Sequence, residues 1–284
     1  MLTSKLKGVA QIFRPELPLA AGVCVVLGEI LALGTFPTLL QIVSGFLCGF
    51  FISGSAIVLN DYYDLEVDRI NMPSRPLPAG LISPADAIVV TALATLIGLA
   101  ASLSLGFAPF VLCVIFWLIG FLYNWKLKEM GLLGNLMVSS SVGITYIIGG
   151  IAVGDPWNKV VWCLAALAFF LDLGEEIAGD AMDMVGDEKR HSSSIAIRRG
   201  RHFALAVSGS MFAVVILISL LPVLFQWMGT SYLVMIAITD LMILIHTVRL
   251  VRSKTSEAGR SSMRQIYLGG LFGMLAFIIS KLIE

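Results

Sequence analysis

Two short segments concentrate acidic residues in this chain, and both have the spacing D-x-x-D-x-x-x-D. The first runs from Asn60 to Asn71 and the second from Glu175 to Asp187. If each segment is helical, positions i, i+3 and i+7 project from one face and form a stripe of oxygen ligands. The spacing is carried by six aspartates: Asp61, Asp64 and Asp68 in the first segment, and Asp180, Asp183 and Asp187 in the second.

Carboxylates grouped in this way need a compensating cation, because like charges near a membrane interface repel and lose hydration. Hard divalent cations take oxygen ligands, and Mg²⁺ commonly bridges a few carboxylates and substrate phosphates. Asn60 lies one helical turn before Asp64 and adds an amide oxygen. We therefore predict a Mg²⁺ site with two ions, in which two similar halves of the chain face one cavity.

Basic residues near the acidic segments indicate an anionic substrate. Arg75 follows the first segment inside a stiff, proline-rich turn. Lys126 and Lys128 follow a later apolar stretch. Metal ions together with Arg and Lys suit a diphosphate leaving group, since both can neutralise the charge that develops as it departs.

The rest of the chain is strongly apolar. Of its 284 residues, 58% are hydrophobic and only 13% are charged, and the mean hydropathy is +0.92. This excludes a disordered chain, a disulfide scaffold and a soluble nucleic-acid binder, and it predicts an integral membrane protein. A diphosphate in that setting suggests an isoprenyl diphosphate, whose tail the apolar helices would hold. We infer membrane lipids as surroundings and no obligatory protein partner.

Apolar stretches of membrane-spanning length occur nine times. The chain is thus expected to be all-α, a polytopic membrane bundle of nine transmembrane helices and a single domain over residues 1–284. The nine predicted spans are 17–34, 38–59, 85–105, 107–124, 132–153, 158–176, 202–222, 230–248 and 265–283.

Basic residues are confined to alternate links between these spans. Of the 19 Lys and Arg residues, all but Lys159 and Lys281 precede span one or follow spans two, four, six and eight, and Arg190 is one of them. The positive-inside rule then places the N-terminus and these links in the cytoplasm of a cell-membrane protein. Loops 2-3, 4-5, 6-7 and 8-9 are expected to form a cytoplasmic-side cap over the active site.

Three segments resemble motifs of the UbiA superfamily of intramembrane prenyltransferases. The first runs from Asn60 to Asn71 and continues into Arg75-Pro76-Leu77-Pro78. The second covers 122–128 with Gly134-Asn135, and the third is Asp183-Met184-Val185-Gly186-Asp187. The resemblance implies Mg²⁺ and a prenyl diphosphate donor such as geranylgeranyl diphosphate. It also implies a lipophilic acceptor.

The same resemblance implies roles for individual residues. Metal–diphosphate roles fall on Asn60, Asp64, Asp68, Asp183 and Asp187, with Asp61 and Asp180 supporting. Arg75, Lys126 and Lys128 become diphosphate contacts. Tyr123 is a further candidate substrate contact, whose aromatic face would stabilise an allylic cation. We take Asp64, Asp68, Asp183, Asp187 and Arg75 as the candidate catalytic set.

The acceptor is less well defined. The motifs are most similar to those of the digeranylgeranylglyceryl phosphate synthases and chlorophyll synthases, which commonly have Arg-Glu and then Lys before the last motif. This chain has Glu175-Glu176 and Gly179 there. We favour a glycerol-lipid acceptor such as geranylgeranylglyceryl phosphate, and an aromatic quinone precursor or an isoprenoid acceptor remains the alternative.

Other functions compete with prenyl transfer. A cation-coupled transporter would place acidic residues near span centres, whereas the main clusters lie at span ends. The D-G…A-R core of the CDP-alcohol phosphotransferases is not found. A terpene cyclase on the UbiA fold would use the same donor and metals without an acceptor, and the sequence leaves it open.

Overall fold

The computed structural model describes residues 2–189 and 192–283, and all regular secondary structure in these ranges is helical. Arg190 lies outside the described residues. The helices are α1 Leu2–Phe13, α2 Glu16–Leu33, α3 Leu39–Tyr63, α4 Leu65–Asn71, α5 Pro84–Leu105, α6 Phe107–Trp125, a 3₁₀ turn Leu127–Met130, α7 Leu132–Ala152, α8 Lys159–Met182, α9 Met184–Lys189, α10 Ile195–Arg199, α11 Arg201–Ser219, α12 Leu221–Leu224, α13 Thr230–Val251 and α14 Ser256–Ile283.

Every predicted span lies largely within one of these helices. Within the described ranges, eight helices are long and apolar enough to cross a membrane. They are α2, α3, α5, α6, α7, α11 with α12, α13 and α14. The all-helical, polytopic prediction is therefore confirmed, and the chain is an integral membrane protein. The sixth predicted span, 158–176, lies in α8, which has 24 residues but carries four carboxylates between positions 172 and 180.

The largest boundary difference is at α14. The apolar stretch predicts a helix from residue 265, but α14 begins at Ser256. All of its first nine residues except Met263 are polar or small, so an apolar window does not detect them, although the helix continues through them.

Helix packing repeats the same order twice along the chain. In the first part, α2 packs on α3, and α3 packs on α5; in the second, α7 packs on α8, and α8 packs on α11. Each acidic segment thus follows the second helix of a packed pair. The two parts meet where α2 crosses α7, at Gly28 and Gly149, because a Cβ on either glycine would overlap a carbonyl oxygen of the other helix.

The two ends of the bundle differ in charge. Lys159 and Lys281 lie at the end remote from the acidic segments, where Lys281 contacts Gly34 and the Lys159 Nζ lies 5.2 Å from the Trp227 ring centre. The described contacts of the acidic segments, by contrast, involve the α1–α2 junction, the α6–α7 link and the start of α14. These contacts bring several of the basic links together around the acidic segments, away from Lys159 and Lys281.

Candidate active site

The first acidic segment is not one continuous helix. Helix α3 ends at Tyr63, Asp64 has φ −88° and ψ 2°, and α4 begins at Leu65. The backbone ladder nevertheless continues, because Asp64 N donates to Asn60 O at 2.9 Å and Asp68 N donates to Asp64 O at 2.7 Å. The chain therefore bends at the central aspartate without losing its hydrogen bonds.

The second segment is built in the same way. Helix α8 ends at Met182, Asp183 has φ −107° and ψ 12°, and α9 follows. Asp183 N donates to Gly179 O and Asp187 N donates to Asp183 O, both at 3.0 Å. The prediction of an unbroken helical stripe is thus wrong in one respect: in each segment the central aspartate occupies a junction between two helices.

Two arginines neutralise the outer carboxylates of the first segment. Arg75 Nη1 lies 2.6 Å from Asp68 Oδ2 and 3.5 Å from Asp61 Oδ1. Arg14, from the α1–α2 junction, also pairs with Asp61. Asp61 and Asp68 are almost fully buried, and one guanidinium contacts both. They therefore share a face across the junction, as the spacing predicts.

The central carboxylate of this segment faces another element. Asp64 pairs with Lys128, which lies in the 3₁₀ turn after α6. Lys126, by contrast, is exposed and makes no ion pair with any described residue. The Tyr123 ring lies against Gly134 at the start of α7. The structure thus brings Lys128 to the carboxylates, whereas Lys126 and Tyr123 border that region.

An asparagine pair supports the same region. Asn60 Nδ2 donates to Asn124 Oδ1 at 2.8 Å, and Asn124 Nδ2 donates to Ala56 O at 3.2 Å. Asn124 is buried, so it fixes the orientation of the Asn60 amide. Within the described residues, Asn60 Oδ1 has no hydrogen-bond donor, which leaves that oxygen available as a ligand.

The carboxylates of the second segment have different partners from one another. Asp180 Oδ2 accepts a hydrogen bond from Asn135 Nδ2 at 2.9 Å. Asp183 Oδ1 lies 2.5 Å from Arg260 Nη2. Asp187 is half-buried in the first turn of α9. Asp183 and Asp187 follow Asp180 within two helical turns, so this segment is also a concentrated negative site.

The link between α6 and α7 contacts the first acidic segment and the stretch that follows the second. Its Lys128 reaches Asp64 and its neighbour Glu129 accepts a backbone hydrogen bond from Ser193 N at 2.9 Å. Gly131 has φ +59°, and a Cβ there would overlap the Ser193 carbonyl. The link therefore joins the first acidic segment to residues just after the second.

The carboxylate oxygens of the two acidic segments fit the way in which proteins usually bind Mg²⁺. All six aspartates offer hard oxygen atoms, and several already have a cation or an amide as a partner. Among the residues that the structure describes, no three His, Cys, Asp or Glu side chains converge to form a metal cage. This matches the usual binding of Mg²⁺ by one or two carboxylates together with substrate phosphates.

Sequence reasoning missed four residues of this site as side-chain partners. Asn124 and Asn135 are inside the quoted motifs, and an asparagine in an apolar helix end is a signal that could have identified them. Arg14 and Arg260 had no such signal: each is one of many basic residues in the links, and only the fold brings them to Asp61 and Asp183.

These features define a class of protein: an all-helical membrane protein with two acidic segments and matching cations at one end of its bundle. The model of the UbiA prenyltransferase family matches residues 21–274. The chain therefore belongs to the UbiA prenyltransferase family, and it is a prenyltransferase.

Relatives and solved structures extend this comparison. The chain is 32% identical to a digeranylgeranylglyceryl phosphate synthase of Thermococcus kodakarensis over 281 residues, which cover 99% of this chain and 100% of that protein. A solved structure of a digeranylgeranylglyceryl phosphate synthase superposes with a TM-score of 0.84 at 28% identity, covering 98% of this chain and 99% of that one. A UbiA homologue from Archaeoglobus fulgidus, bound to GPP and Mg²⁺, has a TM-score of 0.65 at 18% identity over 96% of this chain and 99% of its own.

Proposed function

We propose that this prenyltransferase transfers an isoprenyl group from a prenyl diphosphate to a glycerol-lipid acceptor such as geranylgeranylglyceryl phosphate, with two Mg²⁺ ions. One observation carries the donor assignment: cations from separate elements already face the carboxylates of both segments. In a site that holds Mg²⁺ and a diphosphate, negative and positive groups would likewise be neighbours. The Archaeoglobus fulgidus homologue with GPP and Mg²⁺ supports the same donor class.

Within this proposal, the metal ligands are Asp64 and Asp68 in the first segment and Asp183 and Asp187 in the second. Asn60 adds its amide oxygen. Asp61 has a supporting role, because its buried carboxylate orients Arg14 and Arg75. Asp180 has a supporting role in the second segment, where its carboxylate accepts a hydrogen bond from Asn135.

Different residues of the chain have different tasks in the transfer. Bound Mg²⁺ would supply charge neutralisation of the leaving diphosphate. Arg75, Lys126 and Lys128 donate charge-assisted hydrogen bonds to the diphosphate oxygens as the allylic C–O bond breaks. The apolar helices hold the prenyl tail and exclude water from the allylic cation, and the Tyr123 ring offers it an aromatic face. The acceptor hydroxyl oxygen then forms the new C–O bond, and its proton passes to the released diphosphate.

The glycerol-lipid acceptor is supported by the relatives, since the Thermococcus kodakarensis protein is similar along nearly all of its length. The end of α8 has room for a phosphorylated acceptor. Gly179 is in the last turn of α8, and no described atom outside α8 lies within 4 Å of where its Cβ would be. Glu175 and Glu176 in the same region are half-buried, so a phosphate there would need a cation from elsewhere.

We also propose that α8 is the ninth membrane helix and that the chain is one domain. At 1.5 Å per residue its length is about 36 Å, enough to span a bilayer core. Its carboxylates then lie toward the end that faces the cytoplasm. The short helices α4, α9 and α10 and the 3₁₀ turn would form the cap there.

The orientation can be tested by cysteine labelling in intact cells. Single cysteines at Leu127 and at Lys254, in a variant without the four native cysteines, should react only from the cytoplasmic face. A cysteine at Pro156 should react only from the outside. Reaction of any of these positions from the opposite face would contradict the proposed topology.

The function itself is tested by product mass. Purified protein in detergent is incubated with Mg²⁺, a panel of prenyl diphosphates and either geranylgeranylglyceryl phosphate or an aromatic acceptor. We expect a prenylated glycerol-lipid and released diphosphate. A cyclised hydrocarbon without acceptor would indicate a cyclase, and a prenylated aromatic product would replace the glycerol-lipid proposal.

A further inference from the structure

The link between α13 and α14 is fastened to the start of α11 and to the end of α8. Arg201 donates through Nη1 to Ser253 O at 2.5 Å and through Nη2 to Thr255 O at 3.1 Å. Ser256 Oγ donates to Met182 O at 3.1 Å. The link is thus held against the residue that immediately precedes Asp183.

The first turn of α14 continues this contact. Gly259 packs on the Met182 side chain, whose sulfur and methyl group fill the place of a Cβ. The next residue, Arg260, reaches Asp183 Oδ1 through Nη2 at 2.5 Å. Both side chains of this ion pair are more than half exposed, at 55% for Arg260 and 56% for Asp183. An ion pair this exposed is weak by itself and open to exchange with a ligand.

We propose that Arg260 is a further diphosphate-binding residue, which neutralises Asp183 in the metal-free protein and turns to the donor's diphosphate when Mg²⁺ takes over that carboxylate. The inference rests on the proposed function. Mg²⁺ holds its oxygen ligands at about 2.0–2.1 Å, so a carboxylate oxygen and a phosphate oxygen on one ion lie within roughly 4 Å of each other. A guanidinium that already touches Asp183 needs only a side-chain rotation to contact such a phosphate.

The first acidic segment gives a parallel for this role. There, Asp68 and Asp64 are paired with Arg75 and Lys128, cations that come from links outside the segment. In the second segment, Arg260 is the cation that the structure pairs with a carboxylate among the described residues. Arginine suits the task, because its planar fork can bind two phosphate oxygens at once.

The test measures two affinities of the purified full-length protein in detergent. The first is the dissociation constant for Mn²⁺ without donor, followed by the paramagnetic resonance of free Mn²⁺. The second is the dissociation constant for a non-ionising prenyl thiolodiphosphate at saturating Mg²⁺. Wild type is compared with Arg260→Ala, Arg260→Lys and the matched control Arg264→Ala. Arg264 is exposed one turn further along α14 and makes no ion pair with a described residue.

The two affinities should change in opposite directions. Arg260→Ala removes a competitor for Asp183, so Mn²⁺ should bind about two- to fivefold more tightly. The same variant loses a charge-assisted contact, so the thiolodiphosphate should bind about tenfold or more weakly. Arg260→Lys should lie between wild type and alanine in both measurements, and Arg264→Ala should change neither.

A purely structural role of Arg260 would weaken both affinities together. That result, or thiolodiphosphate binding equal to wild type in Arg260→Ala, would overturn the inference. If wild-type protein with Mg²⁺ does not bind the thiolodiphosphate, the proposed function itself is refuted. If wild type binds and Arg260→Ala binds equally well, only the role of Arg260 is lost.

Discussion

Arg75 joins two buried carboxylates through a single guanidinium. Asp61 and Asp68 are only 2% and 3% exposed, and Arg75 lies 2.6 Å from Asp68. Arg75→Ala leaves Asp61 with Arg14 but leaves Asp68 without a cation among the described residues. Removing one partner of a buried ion pair costs about 3–5 kcal/mol. Because the Arg75 side chain is itself 30% exposed, water reduces this cost to roughly 1–3 kcal/mol.

The assay separates the two consequences of this loss. In chelator, the thermal unfolding midpoint of Arg75→Ala in detergent should fall by about 3–10 °C. Excess Mg²⁺ should restore most of it, since the ion replaces the guanidinium as the partner of Asp68. Donor affinity should remain about 10- to 150-fold weaker at saturating Mg²⁺, because charge-assisted hydrogen bonds to the diphosphate are absent.

Arg69→Ala is the matched control, because among the described residues Arg69 pairs only with the exposed Glu66 one turn away. It should change neither the midpoint nor the donor affinity. The reasoning is refuted if Arg75→Ala is as stable as wild type in chelator. It is refuted equally if Mg²⁺ restores its donor affinity together with its stability.

Three further outcomes are expected. Asp64→Ala and Asp187→Ala should each abolish diphosphate release while the protein stays folded, because each removes a metal ligand from a different half of the site. Activity within a few-fold of wild type in either variant would contradict this. Turnover should require Mg²⁺ or Mn²⁺ and vanish with chelator, as measured by released diphosphate. Gly179→Lys adds a cation where the structure has open space. It should raise affinity for a glycerol-phosphate acceptor by up to about 10- to 150-fold without changing donor affinity. An unchanged acceptor KM would show that this position does not contact the acceptor.

The membrane helices are the part of the fold that the sequence predicts best. A span is defined by its own apolar length, which is a local property, so every predicted span lies largely within a helix. The polar beginning of α14 is different. Residues 256–264 are helical because they continue α14 and contact Met182, and neither cause is visible in an apolar window.

The candidate site also has features set by the local sequence and features set by helix packing. The carboxylates were predictable, because the three aspartates of each acidic segment are close together in the sequence. Their cationic partners were not, since Arg14 lies 47 residues from Asp61, and Lys128 lies 64 residues from Asp64. Arg75 is the exception, only seven residues from Asp68. Pairs of larger separation are set by helix packing, and nothing in the local sequence distinguishes those cations from their neighbours.

The helix junctions give the repeated spacing a different meaning from a single stripe. In the first segment the outer aspartates, Asp61 and Asp68, share Arg75, while the central Asp64 pairs with Lys128 from another element. This division coincides with the bend at Asp64, where α3 ends and α4 begins while the backbone ladder is kept. In the second segment the bend also falls on the central aspartate, and Asp183 faces the start of α14 whereas Asp180 faces α7. Each segment therefore presents carboxylates to two surrounding elements, which suits a site that must hold a diphosphate between helices.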